Sequence, residues 1–324
     1  MSGSNRAPVG VLVMSYGTPE SLEGVEAYYT HIRRGHPPTA EQLEDLTSRY
    51  QAIVGGVFPL RENTNRQVAA LQQKLDELAG PGRYVCYQGL KHAAPFIEDG
   101  IAAMAEDGIR EAVGIVLTPQ YSSMSVGGYL KRAEEAAAAH GIAFAGVQRY
   151  HLHPALIEAL AERVTSGLAK LQGPADETLV LFSAHSLPAR ILELNDPYQD
   201  ELLETSRAVA QATGIARWQF TWQSAGQTGQ PWLGPDILDT LSGLAGEGVA
   251  KVLVTPVGFV SDHLEVLYDI DIEAKRHAAE LGISLARIDM LNDDPKYMEA
   301  LADSVLEAAG RSEAQHLSGG APEA

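Results

Sequence analysis

One cysteine, Cys86, stands in a chain of 324 residues. A single thiol excludes internal disulfides, a thiolate zinc site and a cysteine-held iron–sulfur cluster within one chain. Long apolar runs are also missing, and none approaches the roughly 18 residues a membrane-spanning helix needs. The apolar stretch from Pro8 to Met14 has no basic flank and reads as a buried strand, not a signal peptide. Cations are scarce: 24 Lys and Arg face 42 Asp and Glu, a net charge of −18 that argues against general binding to nucleic acid or anionic membranes. Neither GxGxxG nor GxxxxGK[ST] occurs, so no nucleotide cofactor is expected. What is present is ordinary for a globular protein, 45% hydrophobic and 20% charged, and long enough for two domains with cores of their own. A cytoplasmic location is the expectation.

Short β-rich runs alternate with helical spacing throughout. Val9–Met14, 83–90, 112–117 and 142–147 read as strands in the first half, with helices between them. The second half repeats the rhythm with strands at 178–182, 218–222, 251–254 and 284–288, and a last helix over 295–309. Internal echoes suggest duplication: VLVMSYGTP answers VLFSAHSLP, and IVLTPQYSSMS answers KVLVTPVGFVSDH. The expected fold is α/β, two similar Rossmann-like domains, each a parallel sheet flanked by helices, with an interdomain cleft beyond the carboxyl ends of the strands. The expected domains are 1–150 and 151–310, joined near 148–155. The helix 295–310 is free to pack back on the first domain, and a disordered tail covers 311–324.

Three groups of residues offer chemistry. On a helix starting near Ser261, Asp262, Glu265, Asp269 and Glu273 share one face amid apolar neighbours. Like charges so spaced cost a helix about 1 kcal/mol unless a cation sits beside them. An isolated acidic stripe is usually a solvated face; one on a helix apolar around most of its girth better fits a cleft wall. His185 leaves a buried strand in the facing repeat, and one imidazole with one to three carboxylates suits Fe²⁺, Co²⁺ or Zn²⁺, held loosely. The densest cationic patch is HIRRGH, with Arg33 and Arg34, to which Arg49 and Lys91-His92 can add. It suits the carboxylates of an anionic ligand. Tyr16, Tyr50, Phe58, Tyr121, Met124, Tyr129 and Trp232 are candidate walls for a large flat apolar molecule.

At SAHSLP followed by NDPY, the sequence resembles the ferrochelatases, and the resemblance spans nearly the whole chain. It is carried by SYGTP at 15–19, YYTHIRRG at 28–35, GLKH at 89–92, WQSAG at 222–226, PWLGP at 231–235 and PVGFVSDHLEVLYDID at 256–271. The tyrosine of SYGTP and the compact length look like the coproporphyrin branch. The resemblance implies a chelatase-type fold around a porphyrin cleft and insertion of Fe²⁺ into coproporphyrin III as a step of heme biosynthesis. Iron is then a substrate, with no permanently bound cofactor and no iron–sulfur cluster. It also implies that His185 and Glu265 are the catalytic and metal-site pair on one face of the ring, with Asp269 and Glu273 on a path for incoming metal. Tyr16 would approach the opposite face, on the metal side of the site as well as among the substrate contacts. Arg33, Arg34, Arg49, Tyr50, Phe58, Lys91 and Tyr129 complete the expected porphyrin contacts. Phe58 departs from the small polar residue usual there, and Gln120 from a common histidine. A downstream heme-pathway enzyme is an expected partner; nucleic acid and a transmembrane segment are not expected.

Two alternatives stand beside this reading. A protoporphyrin ferrochelatase or another tetrapyrrole chelatase shares the metal logic and differs in the metal–porphyrin pair that turns over. A two-lobed heme or metal carrier without catalysis would tolerate loss of His185 with only a modest loss of affinity.

Overall fold

The computed structural model describes residues 7–54, 58–171, 174, 177–226 and 229–318. The chain forms two compact units. The first comprises Met1–Thr18, Thr64–Tyr150 and Asp293–Ala324; the second comprises Pro19–Asn63 and His151–Asn292.

In the first unit, strands β1 (Val9–Ser15), β2 (Tyr84–Leu90), β3 (Glu111–Val116) and β4 (Ala143–Gly146) form a parallel sheet in the order β2-β1-β3-β4. Every residue of β1 is buried, which is what its unbroken apolar run requires of a strand covered on both faces. Helices α4 (Ile97–Glu106) and α5 (Val126–Ala139) pack on one face through Leu12, Met14, Ile101, Met104 and Ala133. Helix α11 (Pro295–Ser318) packs against β3 and β4.

The second unit repeats this plan. Strands β5 (Leu179–His185), β6 (Trp218–Gln223), β7 (Lys251–Thr255) and β8 (Ser284–Arg287) are parallel in the order β6-β5-β7-β8. The two echoed sequence pairs therefore occupy equivalent strands, β1 with β5 and β3 with β7. Helices α6 (Pro154–Lys170) and α7 (Tyr198–Thr213) pack against one another and on the sheet. Helix α8 (Ile237–Gly246) and the stretch 264–280 supply the apolar layer over Leu181, Val252 and Val254. Helices α1 (Val25–Ile32) and α2 (Ala40–Val54) also belong to this unit, and α3 (Pro59–Ala79) carries the boundary at Asn63 and Thr64.

Three expectations need correction. Residues 19–63 were expected with the first domain, but α1 and α2 belong to the second unit. Their apolar side chains Val25, Tyr50 and Phe58 cluster there with Leu264, a long-range contact that periodicity cannot reveal. The tail expected to be disordered from Arg311 continues α11 to Ser318, with Arg311 paired to Glu307 at 2.7 Å; 319–324 lie outside the described residues. The acidic stretch is not one regular helix from Ser261. Helix α9 spans only Leu264–Leu267, Asp269–Ala274 is a π-helical turn, and α10 follows at Lys275–Glu280. The π turn is closed by the Glu273 N–H donating to the Tyr268 carbonyl at 2.9 Å. Asp262 consequently lies ahead of the helix, outside the stripe.

Among the described residues, no helix is long and apolar enough to cross a membrane.

Candidate functional site

His185 is the last residue of β5, at the point in the second unit's sheet where the strand order reverses between β5 and β7. In open parallel sheets that position is where ligands bind. The loop leaving β7 is drawn onto β5 at Gly258, whose N–H donates to the Ser183 carbonyl at 3.2 Å. A Cβ on Gly258 would lie 2.4 Å from that of Ala184, so only glycine permits this approach. From there the loop carries Ser261, His263 and Glu265 to the end of β5.

The imidazole of His185 is fixed from several sides. Nδ1 makes a short hydrogen bond to the Ser186 carbonyl, which assigns the proton on that nitrogen and leaves Nε2 to gain or lose one. Nε2 lies 3.4 Å from Glu265 Oε1. The Tyr198 hydroxyl donates to the His185 carbonyl at 3.1 Å, and Trp232 sits beside the ring with centroids 6.3 Å apart. Glu265 is held equally well. Its second oxygen is 3.2 Å from His263 Nε2, and its carbonyl accepts the Gln223 side-chain amide at 2.8 Å. Gln223 is itself oriented by the Ser183 hydroxyl at 2.8 Å, and His263 by the Ser261 carbonyl at 2.9 Å.

Proton affinities diverge across these groups. Burial works against the His185 cation, but the Glu265 carboxylate, its hydrogen bond and the Ser186 carbonyl outweigh it and push the pKa up to about 9. Burial also works against a charged Glu265, yet the His185 cation and the hydrogen bonds from His185 and His263 hold its carboxyl well below the usual range. Burial pushes Asp269 up to about 6, aided by the Glu265 and Glu273 charges and opposed by Ser224 and Arg49. Groups driven apart in this way can divide acid and base work at one pH.

The folded chain thus binds the His185 proton more tightly than the unfolded chain does. Stability from this proton is fully present below about pH 6.5, the model value, and is lost as pH rises towards 9. Thermal melting of wild type and His185→Gln should therefore differ most near pH 6 and converge by pH 10. A difference that stays constant across that range would contradict the pairing.

The remaining expected residues fall into separate settings. Asp269 contacts the Ser224 hydroxyl closely and lies 3.6 Å from Arg49 Nη1. Arg49 also pairs with Asp45 at 3.1 Å and lies over the Tyr268 ring at 5.1 Å. Glu273 acts on Asp269 and Arg49 through its charge. Arg33 bonds the His36 carbonyl at 3.2 Å and lies over Tyr29, while Arg34 is exposed in a left-handed turn. Tyr50 and Phe58 differ from the expectation of ligand walls. Only 5% and 6% exposed, with rings 5.0 Å apart, they form a core that braces Leu264, the neighbour of Glu265. In the first unit, Tyr16, Lys91 and Tyr129 gather. Lys91 Nζ lies 4.8 Å over Tyr129 and 6.0 Å over Tyr16, and Tyr16, 42% exposed, stacks on His92 at 4.6 Å.

His185 and Glu265 are therefore a two-donor pair. Among the described residues, no group of three or more His, Cys, Asp or Glu side chains is arranged to hold a metal ion. Sequence reasoning gave no role to His263, Gln223, Ser224 or Tyr198. Their signal was membership of the motifs SDHLE, WQSAG and NDPY, not residue type.

Comparison with known proteins agrees with this architecture. The family model described as Ferrochelatase matches residues 8–309. A coproporphyrin III ferrochelatase of Bacillus subtilis is 44% identical over 312 residues, covering 95% of this chain and 100% of that relative. One from Halalkalibacterium halodurans is 45% identical, covering 94% of this chain and 98% of its own. A ferrochelatase of Herpetosiphon aurantiacus is 45% identical over 91% of this chain and 97% of its own. Among solved structures, the sirohydrochlorin chelatase SirB from Bacillus subtilis subspecies spizizenii, in complex with cobalt, aligns with a TM-score of 0.59. It is 12% identical and covers 95% of this chain and 98% of that one, a likeness of fold.

Proposed function

The chain belongs to the ferrochelatase family, and from that premise we propose that it inserts ferrous iron into coproporphyrin III, giving iron coproporphyrin III and two protons. The observation that carries the reading is the His185–Glu265 pair at the carboxyl end of β5, with Nε2 and Oε1 3.4 Å apart. Insertion forms iron–nitrogen bonds and breaks two pyrrole N–H bonds, so it needs both a transient metal donor and a proton acceptor. Glu265, ionised at neutral pH, is the donor. His185 begins with its Nε2 proton directed at Glu265. A divalent cation arriving beside that carboxylate offsets the charge sustaining the imidazolium, so the proton leaves. The freed Nε2 then accepts a pyrrole proton, and Asp269, titrating near 6, is placed in the sequence to relay protons outward.

Coproporphyrin carries four carboxylates, and in a chain of charge −18 its anchoring calls for local cations. Arg33, Arg34 and Arg49 are the proposed anchors of the second unit, and Lys91 with Tyr16 and Tyr129 those of the first. Arg33→Ala should raise KM for coproporphyrin III by about 10- to 100-fold, the loss of one charge-assisted hydrogen bond, with kcat nearly unchanged. Steady-state kinetics with unaltered KM would remove Arg33 from the anchor. Anaerobic Fe²⁺ insertion followed by absorbance, with coproporphyrin III and protoporphyrin IX side by side, tests the assignment. Faster turnover of coproporphyrin is expected. Preference for protoporphyrin would move the chain to the other branch, and binding without turnover would mark a carrier.

A further inference from the structure

A buried polar network lies behind the acidic stretch and takes no part in the chemistry above. Arg287 ends β8, paired in register with Val254 of β7, so its backbone belongs to the sheet. Its guanidinium, 13% exposed, reaches two carboxylates. Nε and Nη2 donate to the two oxygens of Asp271 at 3.0 and 2.8 Å, and Nη2 also donates to Asp262 Oδ1 at 3.2 Å. Nη1 donates to the Ile288 carbonyl at 2.8 Å. The other Asp262 oxygen accepts the Asn292 side-chain amide at 2.8 Å, while the Asp262 N–H donates back to Asn292 at 2.9 Å.

The placement of the two aspartates gives this network its meaning. Asp262 lies three residues before Glu265, and Asp271 two residues after Asp269. The backbone between them has little stability of its own. Helix α9 is four residues long, its start at His263 receives no hydrogen bond from the capping side chain, and a π turn follows. Helices this short do not persist alone, and π turns are rare and need support from elsewhere. An Arg paired with one Asp would be an ordinary ion pair. A guanidinium bridging both ends of the segment acts as a staple, and its planar fork is what a lysine cannot reproduce.

We propose that Arg287 is a positioning residue: by bridging Asp262 to Asp271 it fixes the irregular segment from the sheet side and so holds the Glu265 carboxylate against His185. The inference rests on the reading of His185 and Glu265 as the reacting pair, and Arg287 itself touches neither.

The test uses the full chain and three variants. Arg287→Lys keeps the charge and loses the fork, Asp271→Asn weakens one anchor and leaves Asp262 in place, and Lys170→Ala removes an exposed partner of Asp289 as a control. Three readouts are taken: imidazole ¹⁵N resonances of His185 and His263 in the free protein, Kd for coproporphyrin III, and kcat and KM for iron insertion. Arg287→Lys and Asp271→Asn should shift both imidazole resonances and lower kcat by about 10- to 100-fold, the scale of a misplacement near 1 Å, while Kd and KM stay within about twofold. Lys170→Ala should match wild type throughout. Unmoved imidazole resonances in a folded Arg287→Lys overturn the proposal, as does a kcat within about twofold of wild type. Should Arg287→Lys fail to fold, Asp271→Asn is judged by the same criteria. A wild type that metallates no porphyrin would refute the proposed function instead, and the resonances would still report whether Arg287 holds Glu265.

Discussion

His185→Ala, and separately Glu265→Gln, should slow iron insertion by about 10²- to 10⁴-fold, the usual contribution of a positioned acid–base group, while coproporphyrin III still binds. The two changes act through different halves of one interaction. Alanine removes the nitrogen that exchanges a proton and leaves Glu265 with one histidine partner, His263 at 3.2 Å. Glutamine keeps the shape but removes the charge that sustains the imidazolium, so the coupling between metal arrival and proton release is lost. Because the groups function together, the double variant should be little slower than either single one. Porphyrin binding followed by fluorescence quenching, beside single-turnover insertion, separates the two effects. Turnover within tenfold of wild type in either variant would exclude the pair as the reacting centre.

The second large effect is expected at Gly258, which no simple motif marks as functional. A methyl group there would sit 2.4 Å from Ala184 Cβ and 3.0 Å from Ala184 Cα. Carbon atoms in contact lie about 3.5–4.0 Å apart, so strand β5 or the loop must give way. Gly258→Ala should cost about 1–3 kcal/mol of stability, read as a fall in Tm of about 2–4 °C for each kcal/mol. It should also cost activity, because the loop that retreats carries His263 and Glu265 away from His185. Ala184→Gly removes the opposing methyl, so the double variant should recover both melting temperature and turnover. An unchanged Tm in Gly258→Ala would show that the approach of loop to strand is looser than described.

Much of the fold was legible because its signals are local. Val9–Ser15 is an unbroken apolar run that only a strand buried on both faces accommodates, and the echo at 179–185 put its counterpart in the same place. His185 was legible for the same reason: a polar residue ending a buried strand must point somewhere useful. What escaped was set by distant partners. Periodicity placed Asp262 on a helical stripe with Glu265, but Arg287 and Asn292, more than twenty residues later, draw it into a clamp ahead of the helix. The π turn at Asp269–Ala274 has no sequence period of its own. Tyr50 and Phe58 were expected as walls because aromatic residue type does not distinguish a ligand contact from a core, and α1 and α2 had been assigned to the wrong unit. His263 was seen only as an interruption of an apolar face, because its value comes from the carboxylate two residues on.

A crystal structure of the protein with coproporphyrin III bound tests the central claim most directly. His185 Nε2 and the Glu265 carboxylate should lie over one face of the macrocycle, with Nε2 about 3–4 Å from a pyrrole nitrogen, the spacing from which a proton can pass. A ring bound with these two side chains on opposite faces, or with neither within reach of its nitrogens, would contradict the account.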